Sequence, residues 1–178
     1  ERNELGPDDV KVLRFERLLA ETELDADALV LSEAYVAGLG ANGELYPGTR
    51  AVLDALVPQV TMGLITNGIG QVQRARIERL GLEKYFDAIA ISGELGCAKP
   101  GVEIFAHTFG ELGGPDTDSA MIVGDSLSSD MQGGVNYGIA TCWFNPAGSP
   151  PSVDIAIDHE VAALQELLPL VSGQTQSG

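Results

Sequence analysis

From residue 49 onward, short apolar runs alternate with amphipathic stretches, and few architectures accept that pattern. The apolar runs are Thr61–Thr66, Ala88–Ser92, Ala120–Val123 and Ile139–Phe144, each of strand length. Between them the spacing predicts helices. One covers about Thr49 to Val57, and a second carries Arg74, Arg76 and Arg79 and closes at Gly81. A third sets Ile104, Phe105, Thr108, Phe109 and Leu112 on one face and stops at Gly113-Gly114, and a short one ends near Gly138. An edge strand at Ile155-Ala156-Ile157 and a helix from about Glu160 to Leu168 complete the pattern. Fully apolar strands that alternate with helices are buried on both faces, so the fold class is α/β: a three-layer, Rossmann-like parallel sheet. Such sheets bind ligands at the carboxyl ends of their strands.

The first forty residues lack this alternation and read as helices. Val10, Leu13, Leu18 and Leu19 form one stripe, and Ala26, Leu29, Val30, Ala34 and Ala37 a second, with Asp25 as N-cap and Gly38 and Gly40 as terminators. The turn-rich run Asn42–Gly48 is a natural boundary. The expected domains are residues 1–43, a helical unit; 44–171, the α/β core; and 172–178, a small polar tail without fixed structure.

Ten Lys+Arg stand against 26 Asp+Glu, a net charge of −16. A surface of that sign repels nucleic acid and anionic membranes, and neither is an expected partner. It repels phosphorylated ligands too, so a phosphate site must attract locally. Acidic, lysine-poor surfaces also suit high salt, where screening tames self-repulsion. No apolar run approaches the ~20 residues of a membrane helix. The start, Glu1 to Asp9, is polar rather than signal-like and lacks Met, so a true N-terminus upstream is the expectation. Cys97 and Cys142 have no metal-ligand spacing and read as free thiols of a cytoplasmic protein.

Polar residues stand at three of the strand ends. After the first comes Thr66-Asn67-Gly68, which taken alone reads first as an N-cap with a turn glycine and second as a hydroxyl and backbone amides that can receive an anion. After the second lies Lys99-Pro100, where proline suits the first turn of the next helix and the lysine can balance a phosphate in the crevice. After the third stands Gly124-Asp125-Ser126-Leu127-Ser128-Ser129-Asp130, two carboxylates about a polar turn, a hard-oxygen set suited to Mg²⁺.

In this order the motifs resemble the haloacid dehalogenase superfamily, from about Tyr46 to Trp143. Thr66 matches its second motif, Lys99 its third, and Asp125 with Asp130 its fourth. The preceding helices resemble the distal part of the helical cap of one branch. Leu64–Gly70 and Cys142–Pro146 are similar to the pyrimidine-nucleotide phosphatases within it. The resemblance implies a phosphoaspartate mechanism on a small phosphomonoester, a nucleotide or sugar phosphate. Thr66, Asn67 and Gly68 would bind phosphate, Lys99 would neutralise charge, and Asp125 would ligate Mg²⁺. Asp130 would support the metal or hold Lys99.

The family's first motif, a strand ending in Asp-x-Asp, is expected to lie outside this chain. Asp25-Ala26-Asp27 falls between helices, and Asp116-Thr117-Asp118 precedes a strand instead of following one. The family's first strand lies centrally, between Thr61–Thr66 and Ala120–Val123, so its loss would leave two strands unpaired. The expectation is a truncated chain without turnover of its own. A non-catalytic phosphate-binding domain and a 2-haloacid dehalogenase are the alternatives. Oligomeric state is not legible.

Overall fold

The computed structural model describes residues 7–22 and 24–173. Eight helices and five strands follow in chain order among them. The helices are α1 (Pro7–Thr22), α2 (Ala28–Ala41), α3 (Thr49–Leu56), α4 (Gly70–Arg79), α5 (Ser92–Leu95), α6 (Val102–Glu111), α7 (Gln132–Tyr137) and α8 (Leu167–Gly173). The strands are β1 (Gly63–Thr66), β2 (Ala88–Ile91), β3 (Met121–Gly124), β4 (Ala140–Phe144) and β5 (His159–Val161). A single π turn, Leu127–Met131, joins β3 to α7.

All pairing is parallel. β1 lies on β2 with Thr66 opposite Ile91, and β3 lies on β4 with Gly124 opposite Trp143. β5 extends the second group, Cys142 opposite His159. The strands form two sheets, β1-β2 and β3-β4-β5. The break falls between β1 and β3, where the family resemblance sets a further strand. Burial follows this division: Ile91, Ala90 and Cys142 are closed to solvent, whereas Val123 of β3 is 38% exposed.

Helix α6 holds the two sheets together. Its Ile104 and Phe105, both fully buried, pack against Ile65 and Ala90 on one side and Ile122 and Ile139 on the other. Gly133 lets α7 approach, because a Cβ there would stand 2.6 Å from the Phe105 ring. On the opposite face of β4, Cys142 and Phe144 meet Val161 and Leu167. Helices thus cover both faces, as strands apolar on both sides require. Among the described residues no helix is long and apolar enough to cross a membrane.

Several elements depart from the sequence-based expectation. The N-cap of α2 is Asp27, whose carboxylate accepts from the Leu29 and Val30 amides, and not Asp25. Helix α2 runs through Gly38 and Gly40 to Ala41, where the Asn42 side chain donates to the Gly38 carbonyl. Its buried residues are Ser32, Val36 and Gly40, while Leu29, Val30, Ala34 and Ala37 are exposed. Small residues decide this: Gly40 seats the helix against Ala75 of α4, where a Cβ would come within 3.1 Å. Arg76 then donates to the Leu39 carbonyl (2.8 Å) and Arg79 to that of Gly43 (2.6 Å), which satisfies the carboxyl end of α2 and the turn after it. In the first helix Leu13 and Leu19 are half-buried and Leu18 exposed, while the side chain of Val10 lies outside the described residues.

At the other end, Ile155-Ala156-Ile157 forms no ladder. Ile155 and Ile157 instead pack on Leu127, Met131 and Trp143. The Asp158 carboxylate takes the Thr141 amide (2.8 Å) and hydroxyl (2.9 Å), so strand pairing starts one residue later. Residues 159–161 are therefore strand where a helix was expected, and α8 begins at Leu167. Ser172 and Gly173 belong to α8; the remainder of the expected tail, 174–178, lies outside the described residues.

Candidate active site

Three loops at the carboxyl ends of β1, β2 and β3 meet around one ammonium group. Lys99 follows β2 and α5, and its Nζ donates to the Ile65 carbonyl and to Asp130 Oδ1, at 2.7 Å each. The lysine therefore spans the break between β1 and β3. Its side chain is 11% exposed and that of Asp130 is 7% exposed, so the pair is largely removed from water. An ammonium has three N–H donors, and two are engaged here.

Asn67 fixes the Lys99 backbone. Its amide nitrogen donates to the Lys99 carbonyl (2.9 Å), and its oxygen accepts the Lys99 N–H (3.0 Å). This reciprocal pair gives the asparagine side chain a structural task of its own. The Gly68 amide is likewise taken, donating to Ser92 Oγ (2.9 Å), while Gly93 N–H donates to the Gly68 carbonyl (3.1 Å). Asn67 and Gly68 thus shape the turn. Among the described residues the Thr66 hydroxyl has no hydrogen-bond partner and is the group of this motif left for a ligand. Pro100 precedes the N-cap Gly101, so it stands ahead of α6 and not in its first turn.

Beyond β3 the two aspartates part company. The π turn carries Asp130 back over Gly124, where any side chain would strike its carboxylate. Asp130 Oδ2 accepts the Ser126 amide (3.0 Å), and Oδ1 accepts Lys99. Each oxygen thus accepts one hydrogen bond, which makes Asp130 a holder of the lysine and leaves a further lone pair on each oxygen. Asp125 is exposed and its carboxylate has no partner among the described residues; its carbonyl accepts the Trp143 indole N–H (3.0 Å). One free carboxylate at a strand end fits Mg²⁺, which takes one or two carboxylates and completes its shell with water and phosphate oxygens. Among the described residues no group of three or more His, Cys, Asp or Glu forms an all-protein cage.

The two Asp-x-Asp strings lie elsewhere. Asp27 caps α2, Asp25 is exposed in the preceding turn, and Asp116 and Asp118 are exposed at a 3₁₀ turn before β3. Two participants were missed. Ser92 closes the apolar run Ala88–Ser92 in the sequence, and in the structure it is the first polar residue past β2, where the strand-end rule points to it. Gln73, on α4, lies over Gly68, and a Cβ at Gly68 would stand 2.5 Å from its amide nitrogen. Only the turn of α4 brings it there.

The model of the haloacid dehalogenase-like hydrolases matches residues 14–144. The chain is 38% identical over 140 residues to the pyrimidine 5'-nucleotidase YjjG of Escherichia coli, a match covering 75% of this chain and 62% of that protein. It is 36% identical over 156 residues to the N-acylneuraminate-9-phosphatase of Rattus norvegicus, covering 85% and 62%. The chain thus spans less than two thirds of the length of both relatives. Among solved structures, magnesium-bound YfnB of Bacillus subtilis superposes with a TM-score of 0.79 at 32% identity, covering 93% of this chain and 72% of that one. A 2-haloacid dehalogenase from Pseudomonas syringae gives 0.77 at 27% identity.

Proposed function

The chain belongs to the haloacid dehalogenase-like hydrolases, and on that premise we propose that it forms the greater part of a Mg²⁺-dependent phosphatase. Its substrate is a small phosphomonoester, a nucleotide or sugar phosphate. Residues 1–43 belong to a helical cap and 44–171 to the catalytic core, and the nucleophilic aspartate comes from a strand outside this chain, set between β1 and β3. The observation that carries the reading is Lys99, held at 2.7 Å from both the end of β1 and Asp130. An ammonium fixed in a largely desolvated crevice stabilises charge developing on a transferred phosphoryl group far better than one in water.

Each residue then has a task. The third N–H of Lys99 meets a phosphoryl oxygen, and the Thr66 hydroxyl donates to another. Asp130 keeps the lysine in place, and Asn67 and Ser92 keep the Thr66–Gly68 turn rigid enough to position the group. Asp125 would hold Mg²⁺, which when bound screens carboxylate from phosphate. Dehalogenation is the second reading for one reason: Asp130 is paired with Lys99, and Asp125 is the carboxylate of the motif that has no partner among the described residues.

The test uses protein extended upstream of Glu1. Phenyl phosphate hydrolysis should require Mg²⁺ and fall at least about 100-fold in Asp125→Ala. Metal-independent turnover, or chloride release from 2-chloropropionate in its place, would reject the phosphatase. An upstream sequence without a strand ending in Asp-x-Asp would favour a domain that only binds phosphate.

A further inference from the structure

A cleft of about 280 Å³ opens beside the Thr66–Gly68 turn, between the helices that precede the core and the start of α4. Gly68 belongs both to that turn and to the cleft wall, so a phosphoryl group at Thr66 would direct its ester substituent here. Tyr35 and Leu39 supply apolar wall, and Gln73, Arg14 and Arg76 supply polar groups. The charge of the lining is the informative part. The chain has ten Lys+Arg against 26 Asp+Glu, yet two guanidiniums and no carboxylate line this cleft. Neither arginine has an ion-pair partner among the described residues.

Each arginine is held from one side. The Arg14 guanidinium lies 4.4 Å from the Tyr35 ring centre and 5.2 Å from that of Phe15, cation–π contacts that leave its N–H groups without a hydrogen-bond partner among the described residues. Arg76 donates Nε to the Leu39 carbonyl, which anchors the side chain and leaves its terminal nitrogens without a partner among the described residues. A planar fork of donors matches a carboxylate or a phosphate, and it gains most where the surrounding surface is otherwise repulsive.

We propose that this cleft receives the leaving group, and that the preferred leaving group carries a second anion, carboxylate or phosphate, bound by Arg14 and Arg76 on the Tyr35 wall. The assignment rests on the phosphatase reading for where the phosphoryl group sits, and it identifies the class of ester that reading left open.

Binding to the 178-residue chain tests it without turnover. Calorimetric titration would compare phenyl phosphate with 4-carboxyphenyl phosphate and 1,4-phenylene bisphosphate, which share the ring and differ in the second anion. At least one dianionic probe should bind about tenfold more tightly than phenyl phosphate; which one does so distinguishes carboxylate from phosphate. Arg14→Gln should reduce that preference to about twofold, and Arg14→Lys should restore part of it. Arg14 is exposed, so its replacement leaves the core intact. Equal affinity for the three probes would overturn the proposal, as would a preference that survives Arg14→Gln undiminished. The phosphatase reading is judged apart, by phenyl phosphate turnover in the upstream-extended protein. A turnover without the binding preference would reject the cleft assignment alone.

Discussion

At Lys99 and Asp130 a single proton-rich group and a single carboxylate decide both geometry and stability. Neither is safe alone in so dry a crevice. Removing one partner of a buried pair strands the other, at a cost of about 3–5 kcal/mol, whereas replacing both with apolar groups is near neutral. Urea denaturation should therefore show Lys99→Met destabilised by about that amount, and Lys99→Met with Asp130→Leu recovering most of it. Equal losses in single and double variants would mean the pair is not coupled in the fold. Thr66 and Asp125 were legible as candidates because they stand at the ends of apolar runs, and Lys99 and Asp130 because they lie in the polar loops that follow such runs. The division of labour between the aspartates was not legible. It depends on a π turn that folds Asp130 over Gly124, and nothing in the order of residues announces a five-residue turn. A second residue-scale contrast concerns the cysteines. Burial pushes the Cys142 thiol up to about 11, with Glu166 adding to it, while Cys97 is only half-buried. Iodoacetamide at pH 8 should modify Cys97 alone until the protein unfolds, as peptide mapping would reveal.

At the scale of elements, caps and side-chain bonds set boundaries that periodicity left imprecise. The acids before α2 are two residues apart, and only Asp27 has its oxygen on the helix amides. Thermal melts should show Asp27→Ala losing about 1 kcal/mol and Asp25→Ala close to nothing. The C-terminal strand was misplaced for a related reason. Ile155-Ala156-Ile157 has the alternation of a strand, but Asp158 takes the Thr141 N–H that a ladder there would need. The Thr141 amide, and then its hydroxyl, hold the Asp158 carboxyl below the usual carboxylate range. A depressed folded value contributes stability above the ordinary range, and that contribution is lost as pH falls through the folded value. Stability should accordingly decline below about pH 4, and Asp158→Asn should flatten that part of the profile. An unchanged acid slope would place the lability elsewhere.

Over the whole molecule, sixteen excess negative charges act against compaction, and salt should relieve them. Raising KCl from 0.1 to 1 M shortens the screening length from about 10 to about 3 Å. The expected result is a rise in melting temperature of about 2–4 °C, equivalent to ~1 kcal/mol in a domain of this size. A flat response in scanning calorimetry would mean that the charges are already well separated. The break between β1 and β3 also belongs to this scale, since one apolar cluster built around Ile104 and Phe105 of α6 draws residues from both sheets.

The sequence by itself determined the α/β class, the parallel strands and the identity of the strand-end residues. Those follow from local periodicity and from which side chains succeed an apolar run. Tertiary structure decided that Lys99 joins β1 to Asp130, that Asn67 and Gly68 shape a turn, and that two arginines line one cleft. Each depends on groups far apart in the chain: Lys99 reaches a carbonyl 34 residues away, and Arg76 one 37 residues away. Proximity of that kind is produced by packing, through the small residues and buried faces that let helices close, and local pattern carries no record of it.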